Sequence, residues 1–159
     1  MSTKCHEEYL RKAIELSREN VKKGGGPFGA VIVDEAGKII GSGTNRVTAN
    51  SDPTAHAEIM AIRAAAAAKK HFSLANCTIY TSCEPCPMCL AAIYWARLKA
   101  VFFGNTKADA ALIDFSDQFI YDELALPVES RQIPQAQLLH DEAILAFNDW
   151  EAKGDKTPY

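Results

Sequence analysis

Two stretches constrain this chain more than any other feature: His56-Ala57-Glu58 and Pro85-Cys86-Pro87-Met88-Cys89. One imidazole and two thiols make a donor set suited to zinc. A centre with three protein ligands leaves the fourth position open, as catalytic rather than structural zinc sites do. The two halves are separated by the 26 residues between Glu58 and Pro85, so the fold must bring distant segments to one point. Their sequence context says how. Asp52 or Thr54 can cap a helix that holds His56 and Glu58 in or beside its first turn, with Pro53 tolerated there. The alanine-rich run that follows, with Ile59, Met60 and Ile62, carries this helix to Lys70. A second helix starts at Pro85 to Pro87, where a missing N–H costs nothing, and runs to about Arg97. Cys86 and Cys89 then share one face. Both halves of the set thus sit at helix N-termini, where free N–H groups and the positive end of the dipole favour thiolates.

The remaining segments supply the scaffold. Glu7 to Lys22 places Tyr9, Leu10, Ala13, Ile14, Leu16 and Val21 mostly on one helical face, and Gly24-Gly25-Gly26-Pro27 stops that helix. Phe28 to Val33 and Lys38 to Gly43 form a hairpin around Asp34-Glu35-Ala36-Gly37. Thr44 to Thr54 is a polar loop. Cys77 to Thr81 and Lys99 to Phe103 read as further strands, and Ile133 to Leu139 as a fifth, confined to an edge by Pro134. Short helices are expected over Lys107 to Ile113 and Phe115 to Leu124, a loop over Pro127 to Arg131, and a final amphipathic helix over Asp141 to Ala152. The order implies a three-layer α/β/α domain: a central mixed sheet of about five strands, parallel after its first hairpin, flanked by helices.

The composition narrows the partners. A chain of 159 residues, 48% of them hydrophobic, suits one domain with a single good core. The formal net charge of -3, with no basic stripe, argues against a long nucleic acid as the main ligand. No stretch has the length of an apolar membrane span. The charged N-terminus lacks a signal-peptide core, which makes the cytoplasm the expected location. Three of the five cysteines, Cys83, Cys86 and Cys89, fall within seven residues, a clustering that points to metal or redox chemistry rather than disulfides.

Simpler readings explain less. A redox Cys-x-x-Cys leaves His56 and Glu58 without a role. A structural four-cysteine site needs a second, independent pair, and Cys83 with Cys86 shares a residue with the first. Cys83 reads as a packed thiol near the site. The full pattern, H-x-E followed by P-C-x-x-C, is the signature of zinc enzymes that deaminate nucleobases. In that chemistry Glu58 is not a ligand. It moves a proton from the attacking water to the ring nitrogen beside the attacked carbon.

The chain resembles the cytidine deaminase-like superfamily, and within it the compact bacterial guanine deaminases. The resemblance is carried by Gly25 to Val33, Asp52 to Glu58, Tyr80 to Cys89, Ala92-Ile93-Tyr94-Trp95-Ala96-Arg97 and Phe115 to Tyr121. Residues 124 to 152 carry no distinctive motif. The resemblance implies a cytidine deaminase-like fold and zinc-dependent hydrolysis of guanine to xanthine and ammonia. Asn45 would hydrogen-bond the purine, Phe28 and Trp95 would form aromatic walls, and Ala57 would contact the base. Asp117 would assist the departing amino group as a second catalytic acid, and Tyr159 would close over the base. It further implies a homodimer that exchanges a C-terminal segment, about 140–159, between subunits. By residue type alone Asn45 reads equally as a turn residue, Trp95 as core, Asp117 as a cap and Tyr159 as a loose terminus. Rival substrates are guanosine, ammeline, cytosine and adenosine in tRNA. A rival of another class is a non-catalytic zinc-binding interaction module, against which Glu58 speaks.

Overall fold

The structure, a computed structural model, describes residues 3–158. The chain divides into two compact units, Met1–Asp117 and Gln118–Tyr159. The first contains helix α1 (Thr3–Lys22), strands β1 (Gly29–Val33) and β2 (Ile39–Thr44), the one-turn helix α2 (Val47–Asn50), helix α3 (Ala57–Lys69), strand β3 (Thr78–Cys83), helix α4 (Pro87–Trp95), strand β4 (Ala100–Asn105) and the short helix α5 (Lys107–Ala111).

One four-stranded sheet runs in the order β2-β1-β3-β4. β1 pairs antiparallel with both β2 and β3, and β3 pairs parallel with β4. β2, β3 and β4 therefore point the same way, as the sequence implies. The hairpin is not set to one side, however: β1 lies between β2 and β3, so the connection through α3 passes over it. The local pattern could not show this, because it records which segments are strands and not which edges pair.

Every residue of β1 and β3 is buried. Helices cover both faces, which explains why these strands read as continuous apolar runs rather than alternating ones. On one face Tyr9, Leu10 and Leu16 of α1 pack against Val31, Val33 and Tyr80. On the other, Ala57, Ala61 and Ala65 of α3 join Ile93 of α4 against Ala30, Ile32 and Ile79. The helix α1 starts four residues earlier than its apolar pattern implies. His6 pins its first turns by hydrogen-bonding the Tyr80 hydroxyl at 2.7 Å through Nδ1 and stacking on Phe102.

The approach of α3 to β2 is closer than side chains normally allow. A Cβ at Gly43 would overlap the carbonyl oxygen of Ala57 and lie 2.6 Å from the amide of Ala61. Glycine on the strand and alanines spaced four apart on the helix let the two backbones touch. That contact sets the height of the first turn of α3 above the sheet.

The second unit contains helix α6 (Gln118–Ala125), a 3-10 turn (Val128–Ser130) and helix α7 (His140–Ala152). Glu123 accepts the Gln132 amide at 2.8 Å, tying α6 to the segment after the turn. The expected fifth strand over 133–139 is absent, so the sheet among the described residues has four strands rather than about five. Pro134 has no amide to donate, Leu139 adopts a left-handed φ of 53°, and Ile133, Leu138 and Leu139 are exposed. Among the described residues no helix is long and apolar enough to cross a membrane.

Gly43→Ala is expected to lower stability by roughly 1–3 kcal/mol, the cost of overpacking a tight core contact. Thermal or denaturant unfolding reads this directly. An unchanged midpoint would contradict the backbone contact between β2 and α3.

Candidate metal centre and active site

The site forms where α3 and α4 begin. His56, not Asp52 or Thr54, is the N-cap of α3, with extended backbone at φ -70° and ψ 159°. Asp52 caps a turn instead, accepting the Thr54 amide at 2.8 Å and the Thr54 hydroxyl at 2.7 Å on one oxygen. Such Asx turns compete with helix capping for the same short side chain. Cys86 is the N-cap of α4, Pro87 occupies its first turn, and Cys89 follows within that turn. Two helix N-termini therefore face one point.

His56 Nδ1 lies 3.6 Å from Cys86 Sγ and 3.6 Å from Cys89 Sγ. The three ligand atoms all lie within 4.8 Å of one another. A tetrahedral zinc about 2.0–2.1 Å from nitrogen and about 2.3 Å from sulfur requires an N···S edge of roughly 3.6 Å. The donor set and its edges fit zinc. Among the described residues no other histidine, cysteine or carboxylate joins this group, which leaves a fourth position for a non-protein ligand.

Glu58 stands beside the set. It is only 6% exposed, and burial pushes its carboxyl above the usual range, with the negative charge of Cys86 adding to the effect. Its oxygens are held from two sides: the Thr81 hydroxyl donates to Oε1 at 3.4 Å, and Cys89 Sγ lies 3.5 Å from Oε2. The two thiols are pushed apart. A hydrogen bond from Cys89, aided by His56, pulls Cys86 down to about 4 against the opposing effect of burial. The same Cys86–Cys89 hydrogen bond, followed by burial, pushes Cys89 up. Cys83 closes β3 as a buried thiol, its Sγ 3.6 Å from the Thr106 carbonyl and raised to about 11 by burial, and is not among the grouped ligand atoms.

The other expected site residues are distributed as follows. Ala57, the first residue of α3, is fully buried between His56 and Glu58. Phe28 directly precedes β1, half-buried, and meets the Phe115 ring edge-on with centroids 5.1 Å apart. Asn45 directly follows β2, and its Oδ1 accepts the Val47 amide at 3.3 Å. Asp117 is half-buried, and its carboxyl is raised first by burial and then by the nearby charges of Cys86 and Glu84, against its own backbone amide and Lys107. Trp95 ends α4 and is 70% exposed. Tyr159 lies outside the described residues.

Two side chains were not apparent from sequence. Thr81 lies on β3 far from Glu58 in the chain, and a threonine in a β-rich run carries no signal of its partner. Phe115 was part of a motif, but its contact with Phe28 depends on the fold.

A helix-flanked mixed sheet that brings one imidazole, two thiols and a buried carboxylate together at two helix N-termini has the architecture of a zinc-dependent deaminase. The chain belongs to the cytidine and deoxycytidylate deaminase family: residues 3–105 match the family's zinc-binding region. It is similar to the guanine deaminase of Bacillus subtilis, 50% identical over 155 residues that cover 97% of this chain and 99% of that one. The X-ray structure of a guanine deaminase from Bacillus subtilis matches with a TM-score of 0.93 at 49% identity, covering 100% of this chain and 99% of the other. It is also similar to the tRNA-specific adenosine deaminase of Haemophilus influenzae, 46% identical over 116 residues, or 73% of this chain and 67% of that one.

His56→Ala, Cys86→Ala and Cys89→Ala are each expected to lower bound zinc well below the about one ion per chain that a single three-ligand site holds. Thr81→Val should leave the metal content unchanged. Elemental analysis after dialysis checks both; zinc retained in the three ligand variants would rule out this donor set.

Proposed function

We infer that the chain is a zinc-dependent aminohydrolase that converts guanine and water to xanthine and ammonia. One observation carries this reading: likeness to a guanine deaminase runs through 97% of the chain, far past the shared zinc-binding region. Likeness to the tRNA-specific adenosine deaminase covers 73%. The net charge of -3 also suits a small purine better than a polyanion.

His56, Cys86 and Cys89 would hold the ion through Nδ1 and the two Sγ atoms. When bound, zinc supplies a water acidified to a pKa of about 7, available as nucleophile at neutral pH. Glu58 is the proton carrier. Its raised carboxyl suits a group that takes a proton from the attacking water and gives it to N3 while C2 is attacked. Thr81 steadies one carboxylate oxygen so that the other can make the transfer. Asp117, whose burial also favours the protonated form, assists the departing amino group. Asn45 hydrogen-bonds the purine, Phe28 and Trp95 flank it, Ala57 lies against it, and Tyr159 covers it.

The same reading includes a cytoplasmic homodimer that exchanges its C-terminal segment, about 140–159, so that each site is completed by the partner. Five unpaired cysteines support a reducing compartment. A chain that separates into two compact units has the kind of element that subunits exchange.

Glu58→Gln should lower kcat for guanine by about 10²–10⁴-fold or more while zinc stays bound, since it removes an acid–base group and replaces none of the three ligands. Retained turnover would remove Glu58 from the proton path. Ammonia release measured on guanine, guanosine, cytosine, cytidine, adenine and ammeline should be greatest with guanine. A panel in which guanine is inert refutes the substrate and leaves the zinc chemistry standing. Removing residues 157–159 should impair guanine turnover without dissolving the dimer; a fully active, monomeric truncation contradicts both the covering tail and the exchange.

A further inference from the structure

We propose that Asn20 is a positioning residue for purine recognition, its side-chain amide holding the main chain of Asn45 in the place from which Asn45 reads the base. This rests on the reading of Asn45 as a base contact.

Asn20 lies in the last turn of α1 and is only 3% exposed. An amide buried this deeply destabilises the fold unless it is paired. Its pairing is specific. Nδ2 donates to the Gly26 carbonyl at 2.8 Å and to the Asn45 carbonyl at 2.9 Å. Those carbonyls belong to the segment entering β1 and the segment leaving β2. The strand ladder runs out at that point. Its final cross-strand link is the Asn45 amide to the Phe28 carbonyl at 3.2 Å, and a tight local turn joins the Phe28 amide to the Gly26 carbonyl at 2.9 Å. One nitrogen with two donors therefore fastens the open end of the hairpin and fixes both Phe28 and Asn45.

The surroundings are shaped to this amide. The Asn20 carbonyl accepts the amides of Lys23 at 3.0 Å and Gly25 at 2.9 Å, so the turn after α1 folds back over the side chain. A Cβ at Gly25 would overlap the Asn20 amide nitrogen. The glycine turn thus admits the Asn20 side chain as well as ending α1. An alanine at position 20 would fill the space incompletely and donate nothing. Serine would offer one donor on a shorter arm. Neither change touches the metal ligands or Glu58, so the chemical step should survive while base binding weakens.

The test measures guanine kinetics, zinc content and unfolding midpoint for Asn20→Ala and Asn20→Ser, each alone and combined with Asn45→Ala. The expected result for the single variants is a KM raised about 10-fold or more, kcat within about 3-fold, and about one zinc per chain. In the Asn45→Ala background the Asn20 changes should add little, because residues that act through one contact are not additive. An unchanged KM overturns the inference. So does an equal KM increase with and without Asn45, or failure of both variants to fold with zinc, either of which makes Asn20 a general structural residue. If Asn45→Ala alone leaves the guanine KM unchanged, the reading of Asn45 fails and takes the inference with it. That outcome is separable because it appears in the Asn45 variant alone.

Discussion

The contact between the backbone of β2 and the first turns of α3 is the constraint on which the site depends. Gly43 has no side chain, and Ala57 and Ala61 have the smallest ones, so the helix settles onto the strand at backbone distance. A larger residue on either partner would lift α3. His56 and Glu58 ride on its first turn, and an ångström of lift there would open the 3.6 Å edges that suit zinc. The spacing of the candidate ligands thus depends on a backbone contact made at Ala57, the residue next to His56.

The second requirement is electrostatic. Two thiols, an imidazole and a buried carboxylate are crowded against two helix N-termini. Without a cation the group shares protons unevenly: Cys86 is pulled down while Cys89 and Glu58 are pushed up. Holding a divalent ion through Cys86 and Cys89 would release the proton on sulfur, which would couple metal binding to pH and to stability. Thr81, reaching across from the buried strand β3, keeps the carboxylate of Glu58 beside the ligands rather than among them.

Topology places these pieces at one end of the sheet. α3 follows β2, α4 follows β3, and the two strands are parallel, so both helices start from the same end of the sheet. β1, inserted between them in the opposite direction, separates the strands without separating the helix ends. The entry of β1 and the exit of β2 meet at this same end, with Gly29 opposite Thr44, and there the Asn20 amide joins Gly26 to Asn45. Open α/β sheets commonly bind ligands beyond the carboxyl ends of their strands, and the metal ligands here follow that rule.

Much of this could be read from residue order. The donor set is a matter of ligand chemistry and spacing. The helices bearing it announce themselves through alanine content, proline placement and the apolar period, and each was located to within a few residues. Local sequence misled where tertiary contacts compete with it. Asp52 looks like a helix cap but closes a turn. The first helix begins earlier than its apolar face because His6 finds Tyr80. Residues 133–139 have apolar side chains but lack the geometry to join a ladder.

The chain's linear order was enough for the metal donor set and the class of reaction, because those depend on which atoms are present and on helical periods of three and four residues. Tertiary structure alone decided that β1 lies inside the sheet, that Thr81 steadies Glu58, and that Asn20 meets Asn45. Each of those is a pairing between segments far apart in sequence, and short-range periodicity carries no record of which distant partner a buried hydrogen-bonding group will find.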